Sequence, residues 1–227
     1  MTPTVLVTGA TRGIGRAVAL RLAGTHHVVG LGRTRGELES LGAAITGAGG
    51  TFTGLEVDLR DAAGLALALD GVRCDVLVNN AGVMFRKPFL ELTPDEWHGM
   101  VDVNLNALYH VTRAVLPGMI ARGSGQVINI ASIAGRTTFP GGTGYVATKH
   151  AVLGFTETLM LEVRDHGVRV SCVMPGSVAT ELTPGGSSVT WALRPDDVAE
   201  VVAQMVAMPA HALVYNVEVR ASRPRKG

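Results

Sequence analysis

The sequence contains few charged residues and no strong excess of either sign. Charged residues make up 17% of its 227 residues, and the formal net charge is +1. Nucleic-acid binding depends on a concentrated basic surface. The only basic cluster lies close to the carboxyl terminus and contains Arg220, Arg223, Arg225 and Lys226. We interpret this cluster as a solvated tail and expect no nucleic-acid partner.

Cysteine is also scarce. Cys74 and Cys172 both lie in apolar runs typical of buried strands, with no histidine or cysteine nearby at the spacing of a metal site. The sequence therefore predicts no disulfide, no metal site and no cysteine nucleophile.

Long apolar stretches are absent. No run is long enough to cross a bilayer, and no charged segment followed by an apolar segment precedes the first predicted strand. We therefore expect a cytoplasmic protein with no membrane association.

Aromatic residues are few, at 4%, whereas hydrophobic residues reach 47%. Such a composition suits Val- and Leu-rich parallel strands covered by Ala-rich helices. Short β-type runs alternate with longer helical patterns, which predicts one α/β domain over residues 1–227. The expected fold is a Rossmann-type doubly wound sheet of about seven parallel strands with helices on both faces. The predicted strands are Val5–Thr8, His27–Leu31, Thr51–Val57, Asp75–Asn79, Gly125–Ile130, Val168–Val173 and Leu213–Val219.

One segment, Glu181–Leu193, has the composition of a loop because it contains Pro184, Gly185, Gly186, Ser187 and Ser188. It is too short to form a domain. We interpret residues 181–193 as a substrate lid.

A glycine-rich turn follows the first predicted strand, in the run Thr8-Gly9-Ala10-Thr11-Arg12-Gly13-Ile14-Gly15. Glycines let the backbone approach a pyrophosphate closely, and the following helix presents unpaired N–H groups to it. A structural turn is the alternative for such a motif alone. Its place between a strand and a helix favours dinucleotide binding.

The end of the second strand indicates which dinucleotide is preferred. NAD-binding sheets place an acidic residue there for the ribose, whereas this strand ends Gly30-Leu31-Gly32-Arg33. Arg33 and Arg12 supply two guanidinium groups that can bind a 2′-phosphate. We therefore predict NADP(H) as the cofactor.

Tyr145 and Lys149 are four residues apart, so they share one face of a predicted helix, and Ser132 precedes them. A nearby ammonium favours the phenolate, which brings the tyrosine toward use as a general acid or base. A core tyrosine beside a solvated lysine is the alternative for the spacing alone.

These motifs together resemble the short-chain dehydrogenases/reductases, in the subgroup with the pattern Thr-Gly-x-x-x-Gly-x-Gly. The resemblance covers nearly the whole chain and implies a catalytic set of Asn104, Ser132, Tyr145 and Lys149. It also matches Asp58 to the adenine-binding residue and Asn79-Asn80-Ala81-Gly82 to a family element. With the arginine pair, the predicted cofactor-binding residues are Gly9, Thr11, Arg12, Gly13, Ile14, Gly15, Arg33, Asp58, Leu59, Asn80, Ala81, Gly82, Tyr145, Lys149, Pro175, Gly176, Val178 and Thr180.

The implied reaction interconverts a ketone or aldehyde and an alcohol. Tyr145 exchanges the proton, Lys149 binds the ribose and lowers the pKa of Tyr145, and Ser132 polarises the carbonyl. Asn104 is implied to fix a kink in the long helix and a water molecule, and so to support the proton relay through Lys149. Candidate walls of the substrate pocket are Ala134, Phe139, Leu182 and Trp191, with Arg136 as a candidate for binding a substrate carboxylate.

Two other functions share this fold. A non-catalytic dinucleotide sensor has no need of Ser132, Tyr145 and Lys149 together, and sugar-nucleotide epimerases carry a further substrate domain for which this sequence has no room. The partner we expect is therefore a small carbonyl or alcohol compound. The family resemblance also implies a homo-oligomer, a dimer or tetramer, built on the two longest helices, residues 94–122 and 144–165.

Overall fold

The apolar runs of the sequence form one parallel sheet. A computed structural model describes residues 2–183 and 186–223, and in it seven strands lie in the order β3-β2-β1-β4-β5-β6-β7. The strands are β1 Thr4–Thr8, β2 His27–Gly32, β3 Thr51–Glu56, β4 Val76–Asn79, β5 Gly125–Ile130, β6 Val168–Pro175 and β7 Asn216–Val219. The predicted doubly wound α/β sheet is confirmed.

Alternation along each central strand supplies a core on both faces of the sheet. Val5 and Val7 pack in one apolar layer, whereas Leu6 packs in the layer on the opposite face, as the two-residue period of a strand requires. Strand β4 is buried along its whole length. Strands β3 and β7 lie at the edges, and all their residues are exposed or half-buried.

Helices cover both faces. Helices α1, α2 and α7 pack on the layer that contains Val5, and α3, α5 and α6 pack on the layer that contains Leu6. None of the helices within the described ranges is long and apolar enough to cross a membrane. The helices are α1 Gly13–Leu22, α2 Arg35–Gly47, α3 Ala62–Ala68, α4 Pro94–Val101, α5 Ala107–Ala121, α6 Thr143–Val163 and α7 Pro195–Ala207.

The long helix predicted over residues 94–122 is interrupted. A π-helical turn, Asp102–Asn106, separates α4 from α5. Such turns insert an extra residue into the helix and often occur at functional sites. The family resemblance implied a kink at Asn104, but neither proline nor glycine marks this turn in the sequence, so its bounds were not predicted.

The predicted lid begins and ends beside the sheet. Val178 and Leu193 form an isolated parallel bridge, which brings the two ends of the segment together, and Gly186–Ser188 forms a short 3-10 helix between them. Pro184 and Gly185 of this lid lie outside the described residues, as do Arg225 and Lys226 of the predicted basic tail.

Candidate active site

A cleft of about 1020 Å³ lies at the carboxyl edge of the sheet. It spans the point where the strand order changes direction between β1 and β4, which is where ligands bind in open α/β sheets. Most of the predicted site residues line this cleft. They are Gly9, Thr11, Arg12, Gly13, Ile14, Arg33, Asp58, Leu59, Asn80, Ala81, Gly82, Ser132, Ala134, Phe139, Tyr145, Lys149, Pro175, Gly176, Val178, Thr180 and Leu182.

Four predicted site residues are not in the lining of this cleft: Gly15, Asn104, Trp191 and Arg136. Gly15 packs behind the glycine-rich turn, where an added Cβ would lie 2.2 Å from the Gly9 carbonyl oxygen. Asn104 lies behind the cleft in the π-helical turn. Trp191 does not line the cleft, so the structure does not place it in the predicted pocket wall.

The glycine-rich turn suits a phosphate group. Gly9 and Gly13 have φ values of +61° and +52°, a region that glycine adopts at low cost. Helix α1 has no side-chain hydrogen bond at its N-cap and no acidic residue in its first turn. Its first backbone N–H groups are therefore available to an anion at the positive end of the helix dipole.

Thr8 joins this turn to the loop after β4. Its hydroxyl oxygen accepts bonds from the backbone N–H groups of Asn80, at 3.0 Å, and Ala81, at 3.1 Å. The Asn80 amide in turn donates to the carbonyl oxygens of Thr8 and Gly9. The two loops are therefore held together as one floor of the cleft.

Gly82 follows this element and borders the predicted catalytic side chains. A Cβ added at Gly82 would lie 3.6 Å from Oδ1 of Asn104 and 3.8 Å from Nζ of Lys149. The missing side chain leaves that space open beside the lysine.

Charged side chains gather at the β2 end of the cleft. Arg60 donates to both carboxylate oxygens of Asp58, at 2.6 to 3.1 Å, and lowers the pKa of Asp58 to about 2, with a smaller contribution from Arg33. Glu37 also lines the cleft and accepts a hydrogen bond from the Thr11 hydroxyl at 2.8 Å. Glu37 was not predicted from the sequence, because it comes from α2 rather than from the end of β2.

The predicted acid and its neighbour both come from α6. Nζ of Lys149 lies 5.6 Å from the centroid of the Tyr145 ring and donates to the Ile130 carbonyl oxygen at 3.0 Å. Lys149 is only 4% exposed. Burial disfavours its charged form and lowers its pKa to about 8.

Tyr145 shows a shift opposite to the one expected from Lys149. Burial of the phenol raises the pKa of Tyr145, and a hydrogen bond with the Ser132 side chain opposes that rise. The Ser132 oxygen accepts from the Ala134 backbone N–H at 3.1 Å. The phenol is therefore protonated at neutral pH.

Asn104 connects the loop after β4 to the catalytic helix. Its side chain accepts from the Val83 N–H at 2.8 Å and donates to the Val83 carbonyl oxygen and to the Thr148 hydroxyl, both at 3.0 Å. The Thr148 hydroxyl donates onward to the Tyr145 carbonyl oxygen at 2.8 Å. Through Thr148, Asn104 therefore holds the backbone of Tyr145 in place.

The far end of the cleft contains an arginine that the sequence did not single out. Arg86 lines the cleft, and its guanidinium carbon lies 5.3 Å from the centroid of the Phe139 ring. Arg136, the candidate for a substrate carboxylate, bonds Glu218 at 3.4 Å instead and does not line the cleft. The structure therefore does not place Arg136 in the cleft.

Comparison with known proteins identifies the family. The family described as short chain dehydrogenase matches residues 3–188. The chain is 35% identical to oxidoreductase UcpA of Escherichia coli (strain K12) over 223 residues, which cover 95% of this chain and 84% of that protein. The chain belongs to the short-chain dehydrogenase family.

Solved structures of other short-chain enzymes share its fold. A metagenomic short-chain oxidoreductase in complex with NADP is 37% identical with a TM-score of 0.87, covering 100% of this chain and 98% of that one. A 3-oxoacyl-[acyl-carrier protein] reductase from Brucella melitensis with bound NAD is 31% identical with a TM-score of 0.88, covering 96% and 89%. This short-chain dehydrogenase is therefore an oxidoreductase.

Proposed function

We propose that this short-chain dehydrogenase interconverts a ketone or aldehyde and an alcohol with NADP(H). The observation that carries the proposal is that Ser132, Tyr145 and Lys149 line the same cleft as the glycine-rich turn. When bound, the cofactor supplies or accepts the hydride. The protein supplies placement, proton transfer and electrostatics.

Tyr145 serves as the general acid in carbonyl reduction. Its pKa is raised by burial, so the phenol carries the proton that the reduced oxygen needs at neutral pH. Alcohol oxidation needs the phenolate instead, and we therefore expect oxidation to become faster as the pH rises.

Ser132 polarises the carbonyl. Its hydroxyl lies beside the phenol and donates to the Pro175 carbonyl oxygen at the long distance of 3.5 Å. A bond that long costs little to exchange for one to a substrate oxygen, where it stabilises the developing negative charge.

Lys149 and Asn104 have supporting roles. The buried Lys149 ammonium lies within reach of the open space at Gly82, which suits a hydrogen bond to the nicotinamide ribose. Together with the positive ring of an oxidised nicotinamide, its charge would lower the pKa of Tyr145 in the oxidation direction. Asn104 holds Thr148 and, through it, the backbone of Tyr145.

The preference for NADP(H) rests on Arg33. Arg33 lines the cleft near Asp58 and offers a guanidinium to a 2′-phosphate. Glu37 lies at the same end and can accept from the ribose hydroxyls of NAD, since only one of its carboxylate oxygens accepts from Thr11. We give Arg33 the greater weight because the end of β2 itself carries no acidic residue.

The test is turnover of ketones and aldehydes with NADPH, comparing the native protein with Tyr145→Phe. We expect the variant to lose at least about 100-fold in kcat while its affinity for NADPH changes less than about twofold. Tyr109→Phe is the matched control, because Tyr109 is 44% exposed. Near-native turnover by Tyr145→Phe would refute the assigned role. Nucleotide binding without turnover of any compound by the native protein would favour the alternative, a non-catalytic sensor.

A further inference from the structure

Arg86 stands out at the substrate end of the cleft because it is a cation with no assigned task. Its neighbour in sequence, Lys87, donates to Glu96 at 2.6 Å. Among the residues that the structure describes, no carboxylate lies within ion-pair distance of Arg86. Lys87 thus forms an ion pair with Glu96, whereas Arg86 faces the cleft.

The ring of Phe139 contacts the guanidinium of Arg86, which is otherwise exposed. Its centroid is 5.3 Å from the Arg86 guanidinium carbon, a cation–π distance that orders the side chain without neutralising its charge. An ordered arginine loses less rotational freedom when it binds a ligand. The pair therefore presents a planar hydrogen-bonding edge to the cleft.

The backbone around this pair accommodates it closely. The Gly142 N–H donates to the Phe139 carbonyl oxygen at 3.1 Å, and a Cβ on Gly142 would lie 2.6 Å from the Phe139 ring. Gly141 accepts from the Lys87 N–H at 3.0 Å, and its added Cβ would lie 3.3 Å from Cγ of Arg86. The two glycines thus join the loop of Arg86 to that of Phe139.

The other charged groups around the cleft leave the positive charge of Arg86 in place. Glu181 lines the cleft but is bonded to Arg12. Asp196 also lines it and lies in the first turn of α7. Lys149, the cation beside Tyr145, is buried and bonded to the Ile130 carbonyl oxygen.

We propose that Arg86 is a specificity-determining residue that binds a carboxylate on the substrate, so that the preferred substrates are carbonyl compounds bearing an acid group. A guanidinium pairs with a carboxylate through two parallel hydrogen bonds. This inference rests on the proposed carbonyl–alcohol activity and names its substrate class.

The test uses matched substrate pairs with NADPH. The probes are 4-formylbenzoate and 3-oxobutanoate, each beside its methyl ester, which keeps the carbonyl and removes the charge. We expect the native protein to have a higher kcat/KM for each acid than for its ester. Arg86→Gln should lower kcat/KM for the acids by about 10- to 100-fold, mainly through KM, and change the esters less than about twofold. Arg86→Lys keeps the charge but not the planar fork. Its kcat/KM for the acids should lie between those of the native protein and Arg86→Gln.

Arg136→Gln is the control, because Arg136 is a loop arginine outside the cleft. This substitution should change kcat/KM for neither the acids nor the esters. If Arg86→Gln affects acids and esters equally, or affects neither, the inference is wrong although the activity stands. The same holds if the native protein reduces esters as well as acids. If it reduces none of the four compounds nor any other carbonyl, the proposed activity fails and the inference fails with it.

Discussion

The guanidinium of Arg12, in the glycine-rich turn, is bonded to the carboxylate of Glu181, the first residue of the lid. Both side chains are exposed, at 59% and 72%, so water screens the pair and its contribution is about 0 to 1 kcal/mol. Arg12 is also one of the two arginines predicted to contact a 2′-phosphate. Glu181 therefore competes with that phosphate for the same guanidinium.

Replacing Glu181 tests this competition. We expect Glu181→Gln to lower the KM for NADPH by up to about fivefold, the equivalent of about 1 kcal/mol, because Arg12 no longer has to leave a carboxylate. The KM for NADH should stay within about twofold. Initial rates with each cofactor, at low and at high salt, provide the measurement.

A different outcome would assign the pair another role. If Glu181→Gln raises the KM for both cofactors by similar factors, the ion pair holds the lid over the dinucleotide and does not compete with its phosphate. In that case the difference in KM between the native protein and Glu181→Gln should shrink at high salt, because salt screens the exposed ion pair of the native protein.

Arg33 is predicted to decide between the two cofactors. Loss of a charge-assisted bond costs about 1.5 to 3 kcal/mol, so Arg33→Gln should raise the KM for NADPH by about 10- to 100-fold and leave NADH nearly unchanged. The matched control is Arg35→Gln. Arg35 is 79% exposed, approaches Glu56 at 3.7 Å and does not line the cleft. Equal effects of Arg33→Gln on the two cofactors would contradict a phosphate site at Arg33.

The parts of this site that the sequence predicts are those fixed by short motifs at strand ends. The glycine-rich turn and the Tyr145–Lys149 pair follow from spacing along the chain, and the Asn79-Asn80-Ala81-Gly82 element follows from the family resemblance. The sheet brings their carboxyl ends to one edge, so a motif in sequence becomes a neighbour in space.

The parts that were missed depend on contacts between distant segments. Glu37 reaches the cleft from α2, and Arg86 is placed there by the Phe139 ring. The π-helical turn at Asn104 carries no proline or glycine, so periodicity could not reveal it. The upward pKa shift of Tyr145 arises from burial, which a helical spacing does not report.

Lys149 should destabilise the folded protein at neutral pH. Burial lowers its pKa from 10.5 to about 8, so between these values the unfolded chain binds more protons than the folded one. The free energy of unfolding therefore rises with pH across this window, and the cost of the buried charge is fully present only below about pH 8. That cost is at most about 3 kcal/mol, at 1.36 kcal/mol for each pKa unit.

We accordingly expect Lys149→Met to increase the free energy of unfolding at about pH 7, by less than about 3 kcal/mol because the Ile130 carbonyl loses its partner. The gain should shrink as the pH approaches about 10.5, while turnover is lost throughout. Urea denaturation across this range gives the measurement, with the 42% exposed Lys87 replaced by Met as control. A difference between native and variant that stays constant with pH would show that lost packing or hydrogen bonding, and not the buried charge, sets the stability of Lys149→Met.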